Sequence, residues 1–126
     1  MAKILVIDDE ALLAKSLSII LGKAGHTVVT AENGKLGLEA FAREQPDLVI
    51  TDIIMPVMEG IEAIQALRTQ APNLPIIAVS GGGRTKNLEF LRIAEKLGAN
   101  AALPKPFTKE QLLTIVANCL AGKTAT

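Results

Sequence analysis

Residues 47–60 read DLVITDIIMPVMEG. Leu48, Val49 and Ile50 form a short apolar run without polar alternation, the pattern of a strand covered on both faces, as in a parallel sheet. The run ends on Asp52. Met55-Pro56 then blocks continuation, because proline lacks an N–H and biases the residue before it away from helix. A carboxylate therefore stands where a buried strand emerges into a loop. In open α/β sheets, that end of the strands is where ligands bind. Taken alone, Asp52 is equally well read as a turn aspartate.

The flanking sequence repeats the theme. Working back, Thr27–Thr30 is a β-branched strand and Lys3–Ile7 an apolar one, stopped by Asp8-Asp9-Glu10. Between them Leu13, Leu17, Ile20, Leu21 and Ala24 mark one helix face, with Gly25 as its C-terminal cap. Asn33-Gly34 reads as a turn, followed by a short helix anchored by Leu38 and Phe41. Working forward, Ile61, Ile64 and Leu67 mark a helix that stops before Ala71-Pro72. Pro75–Ser80 is a fourth strand. Gly81-Gly82-Gly83 precedes a helix carrying Leu88, Leu91, Ala94 and Leu97, ended by Gly98. Ala101–Leu103 is a brief fifth strand, and Pro104 beside it suits a sheet edge. Thr108 to Gln111 is a capping box opening a last helix with Leu112, Val116, Cys119 and Leu120 on its apolar face.

Five strands alternating with helices predict one doubly wound α/β domain. Its sheet is parallel and five-stranded, in the flavodoxin-like order 2-1-3-4-5, with right-handed crossovers and helices on both faces. The domain is expected to span 1–126, with its core at 3–120 and a polar tail at 121–126.

Composition narrows the function. The 126 residues contain 13 Lys plus Arg and 13 Asp plus Glu, so no net field draws the chain to nucleic acid or to an anionic membrane. No apolar run is long enough to span a bilayer, and the N-terminus is charged too early for a signal peptide. The single cysteine, Cys119, sits at core spacing and fits a reducing, cytoplasmic setting. The single histidine, His26, opens the second strand and reads as a solvated edge residue rather than a metal ligand.

In a parallel sheet the strand ends bring Asp8 and Asp9, Asp52, Ser80 and Lys105 to one edge. Each has an ordinary alternative: Asp9 as a helix cap, Ser80 as a turn hydroxyl, Lys105 as a surface cation. Jointly those alternatives do not account for the convergence. Three carboxylates with one lysine leave a formal charge of about −2. Such a set calls for a hard cation, better Mg²⁺ (or Mn²⁺) than Zn²⁺. Around that cation Lys105 and Ser80 suit a phosphoryl group, with Asp52 as nucleophile. No base for an alcohol substrate is apparent, so the chain itself is the expected phosphoacceptor.

These residues resemble the receiver domain of two-component response regulators. The shared pattern is Asp8-Asp9, Asp52 with Met55-Pro56 and Gly60, Ser80-Gly81, and Lys105-Pro106-Phe107, and it extends over residues 3 to about 120. The resemblance implies that Asp52 takes a phosphoryl group from a histidine kinase or histidine phosphotransfer protein. It further implies metal ligation by Asp9, Asp52 and the backbone carbonyl of Ile54, with Asp8 acting largely through water, and a cis Lys105-Pro106 peptide. Ser80, Gly81 and position 102 would form the switch, signalling to a downstream protein through helix four, strand five and helix five. Ala102 departs from the pattern, since receivers generally carry an aromatic ring there. No output domain follows, so the resemblance is to a stand-alone receiver. Two alternatives are a haloacid dehalogenase-like phosphatase, whose D-x-D motif differs from the adjacent Asp8-Asp9, and a receiver-like binding module that is never phosphorylated.

Overall fold

The computed structural model describes residues 2–53, 59–80 and 92–122. The expectations for Ile54, Met55, Pro56, Gly81, Gly82, Gly83, Leu88 and Leu91 lie outside the described residues.

The strands are β1 (Lys3–Ile7), β2 (Thr27–Ala31), β3 (Leu48–Asp52), β4 (Ile76–Ser80) and β5 (Ala101–Pro104). The helices are α1 (Ala11–Lys23), α2 (Gly34–Glu44), α3 (Glu59–Gln70), a helical segment at 92–96 (α4) and a C-terminal helix α5 (Lys109–Leu120). All four strand pairings are parallel, in the order β2-β1-β3-β4-β5. This is the doubly wound sheet expected from the sequence.

Period-two side-chain alternation divides the core between the two faces. Leu5, Ile7, Val49, Ile76 and Ala78 pack on one side with Ile64 and Leu67 of α3 and Ala94 of α4. Ile4, Val6, Leu48, Ile50, Ile77 and Val79 pack on the other with Leu17 and Leu21 of α1 and Leu112 and Val116 of α5. Every residue of β3 and β4 is buried. Both strands are therefore covered on both faces, and apolar runs without alternation (Leu48–Ile50, Ile76–Val79) encode them up to their polar ends.

The helix ends follow local chemistry. Gly25 has φ of 98°. The Gly25 N–H bonds to the Gly22 carbonyl and the His26 N–H to the Leu21 carbonyl, the bond pair of a Schellman cap, which needs a left-handed residue. Thr108 and Gln111 form the expected capping box on α5. Asn33-Gly34 differs from its reading as a turn. Asn33 is the N-cap of α2, its side chain accepting the Leu36 N–H at 2.8 Å, and Gly34 is the first helical residue. Asparagine suits both roles, and only the periodicity after it separates them. His26 is half-buried, and its Nδ1 accepts the Ala2 N–H at 3.1 Å. It fastens the start of β1 to the loop before β2.

Candidate phosphoacceptor and metal site

Asp52 and Ser80 are the last residues of their strands, and the backbone ladder carries Asp8 and Lys105 one step past theirs. The Asp8 N–H bonds to the Ala31 carbonyl, the Ile53 N–H to that of Val79, and the Lys105 N–H to that of Ser80 at 2.7 Å. These bonds tie the end of β1 to β2 and the ends of β3 and β5 to β4, and the β1–β3 register, with Ile7 opposite Thr51, brings all of them to one sheet edge. The Lys105-Pro106 peptide is cis, as expected.

At that edge Asp8, Asp52 and Ser80 are all buried, at 2%, 3% and 0% exposure. So little solvent reaches these groups that their partners must come from the protein or a ligand. Lys105 reaches in from β5. Its Nζ lies 3.1 Å from Asp52 Oδ2, 3.6 Å from Asp8 Oδ2 and 3.6 Å from Glu10 Oε1. One ammonium is thus shared by three carboxylates. Burial works against its charge, but Asp52 foremost, with Asp8 and Glu10, outweighs burial and raises the Lys105 pKa.

Asp8 shows the opposite strain. Burial, above all, pushes its pKa up; the Glu10 N–H and Lys105 partly offset this, while Asp52 and Glu10 add repulsion. Its Oδ1 accepts the Glu10 N–H at 2.8 Å. Its Oδ2 and Ser80 Oγ are buried without a hydrogen-bond partner among the described residues. Carboxylate oxygens of Asp8, Glu10 and Asp52 all lie within 4.8 Å of one another. A crowded oxygen set with an unsatisfied buried acceptor and excess negative charge fits a hard divalent cation.

The sequence-derived set is only partly assembled in this way. Asp8, Asp52 and Lys105 meet as expected, and Ser80 stands buried at the end of the neighbouring strand. Asp9 is exposed and outside the close carboxylate group, and it does not cap α1, whose N-cap is Glu10 without a side-chain cap bond. Glu10 takes part instead. Its signal in the sequence is its place directly after the acidic pair, where its type and position alone mark only the end of the strand. Ala102 is half-buried and packs against the α3–α4 side of the core.

Among the described residues no helix is long and apolar enough to cross a membrane. A wider groove of about 600 Å³ between α1 and α2 is lined by Asp8, Lys15, Thr30 and Arg43 among others. It opens beside the acidic edge and does not contain Asp52 or Lys105.

A parallel sheet with an acidic edge built around one lysine is the architecture of a phosphorelay receiver, and family membership agrees. The response regulator receiver domain matches residues 4–117. The chain belongs to that family, and it functions in phosphorelay signalling, in which response regulators receive phosphoryl groups from histidine kinases. Protein PilH of Pseudomonas aeruginosa is 37% identical over 125 residues, 97% of this chain and 100% of that protein. The alkaline phosphatase synthesis transcriptional regulatory protein PhoP of Bacillus subtilis is 34% identical over 111 residues, covering 87% of this chain but 45% of the regulator. The crystal structure of a response regulator receiver domain protein from Clostridium thermocellum superposes with a TM-score of 0.89 at 32% identity, over 97% of this chain and 96% of that one. Neither the phosphatase nor the unphosphorylated-module reading gains support from these likenesses.

Proposed function

We propose that Asp52 is the phosphoacceptor, receiving the group from the phosphohistidine of a kinase or phosphotransfer protein. The observation that carries this is the contact of Lys105 Nζ with Asp52 Oδ2, 3.1 Å apart, at the end of a wholly buried strand. The ammonium orients one carboxylate oxygen and neutralises charge that would repel an incoming phosphoryl group. Attack by an Asp52 oxygen on phosphorus forms the acyl phosphate as the bond from phosphorus to the donor histidine nitrogen breaks. The histidine leaves with that electron pair. Lys105 then faces the new phosphoryl oxygens, and the unpartnered Ser80 hydroxyl is a ready donor to one of them.

Mg²⁺, or Mn²⁺ in its place, would be held by Asp8, Asp9, Asp52 and the Ile54 carbonyl, and would offset negative charge on the phosphoryl oxygens when bound. The unsatisfied Asp8 Oδ2 supports a cation there. Switching is assigned to Ser80 and Gly81, with Ala102 unable to supply an aromatic rotamer. The readout is assigned to a protein partner on the α4–β5–α5 face. The chain acts as one receiver domain over 1–126, in the cytoplasm and without nucleic acid, which agrees with its balanced charge and the buried lone Cys119.

The test is intact-mass analysis after incubation with Mg²⁺ and acetyl phosphate. The wild-type chain gains the mass of one phosphoryl group, and Asp52→Asn gains none. Stoichiometric labelling of the variant would overturn the assignment.

A further inference from the structure

The Glu10 carboxylate stands at the solvent edge of the charge cluster. Its backbone N–H donates to Asp8 Oδ1 at 2.8 Å, a tie that turns the chain back over the end of β1. The Glu10 side chain then reaches Lys105 at 3.6 Å, and its ligating oxygen lies within 4.8 Å of those of Asp8 and Asp52. At 66% exposure it is the one solvent-facing carboxylate of the three, against 1% for Asp8 and 3% for Asp52. Asp8 Oδ2, more than nine-tenths buried, adds an unsatisfied acceptor to the same cluster.

We infer that Glu10 is a cation-positioning residue: it contributes a further carboxylate, directly or through a bound water, to the divalent ion assigned above to Asp8, Asp9 and Asp52. This rests on the proposed reading of the pocket as a metal site. Lys105 pairs with Glu10 at 3.6 Å, and a divalent ion would compete with it for the same carboxylate. When the ion enters, the exposed side chain is the one member of the set able to change rotamer without disturbing the packed strand ends. Glu10 therefore turns from the lysine to the metal. Asp8, Asp9 and Asp52 would fix the ion's position, and Glu10 would add attraction at the solvent side. Water weakens that contribution, so the effect on affinity is about threefold to tenfold.

The experiment is calorimetric titration of the intact chain with MgCl₂, with binding rather than activity as readout. Four proteins are compared: wild type, Glu10→Gln, Lys105→Ala, and the double variant. Glu10→Gln is expected to weaken Mg²⁺ binding about threefold to tenfold in both the Lys105 and the Lys105→Ala backgrounds. Unchanged affinity in the wild-type background overturns the inference. Weakening seen only when Lys105 is present overturns it too, since Glu10 would then act through the lysine alone. A wild-type chain that binds no Mg²⁺ defeats the metal-site reading itself, whereas binding indifferent to Glu10 defeats only this inference. Glu10 is exposed, so circular dichroism of Glu10→Gln should match the wild type, excluding misfolding as a cause.

Discussion

Replacing Asp8 by Asn should stabilise the metal-free protein at neutral pH, and the size of the effect follows from the site's geometry. Asp8 Oδ2 lies 3.6 Å from Lys105 Nζ, an attraction of about 4.6 kcal/mol at an effective dielectric of about 20. The Asp52 carboxylate, within 4.8 Å, repels by about 3.5 kcal/mol on the same scale. Exposed Glu10 adds about 1 kcal/mol of repulsion in a nearly aqueous dielectric. Attraction and repulsion nearly cancel, and the Glu10 N–H offsets only part of the cost of burying the charge. Asn keeps Oδ1 as the acceptor for the Glu10 N–H, so removing the charge should gain on the order of 2 kcal/mol. For a domain of this size the Tm rises by about 6–10 °C.

The pH dependence has a definite sign. Asp8 has a raised folded-state pKa, so its contribution is fully favourable below its ordinary value of 3.8 and is lost as pH rises through the elevated one. The gap between Asp8→Asn and wild type should therefore narrow as pH falls through that range. Added Mg²⁺ should narrow it too at neutral pH, by stabilising the wild type more than the variant. Thermal unfolding followed by circular dichroism, with EDTA and with Mg²⁺, suits a chain lacking Trp and Tyr. An unchanged or lower Tm for Asp8→Asn at pH 7 in EDTA would show that the buried Asp8 charge carries no net cost.

Three further outcomes concern the frame that holds the site. Gly37→Ala should lose about 1–2 kcal/mol in urea unfolding despite the better helix former, because the added Cβ would lie 2.8 Å from Ile7 Cγ1 in a filled core; Ile7→Val in the same chain should recover part of the loss. Arg68→Ala should cost about 2–3 kcal/mol by the same measurement, since its guanidinium donates to the carbonyls of Gly98, Ala71 and Pro72 and to Asn100 Oδ1, and Arg68→Lys should restore less than half. Asn33→Ala should lower stability by about 1 kcal/mol through loss of the α2 cap, with faster amide exchange at Leu36 as the local sign.

The strands were legible because burial on both faces writes itself as uninterrupted apolar runs, as in Leu48–Ile50 and Ile76–Val79. Their order was legible because a parallel sheet with short connections admits few topologies. Asp52 and Lys105 were legible as strand-end residues, since register alone places them on a common edge. Glu10 was not. Its part depends on a hydrogen bond from its own N–H to Asp8, which folds the chain back by one residue, and no periodicity encodes such a turn. Asn33 was misplaced for a related reason, as a side-chain amide closes a turn and caps a helix with the same atoms. The Arg68 network also went unseen. It joins α3 to loops thirty residues away by side-chain to backbone bonds, and those leave no pattern in the chain.

The central claim is that the phosphoryl group is carried by the Asp52 carboxylate. Borohydride reduction of the phosphorylated chain converts an aspartyl phosphate to homoserine, which peptide mapping then locates. Homoserine is expected at position 52 alone, dependent on Mg²⁺ during phosphorylation. Homoserine at Asp8, Asp9 or any other carboxylate, with residue 52 recovered as aspartate, would contradict it.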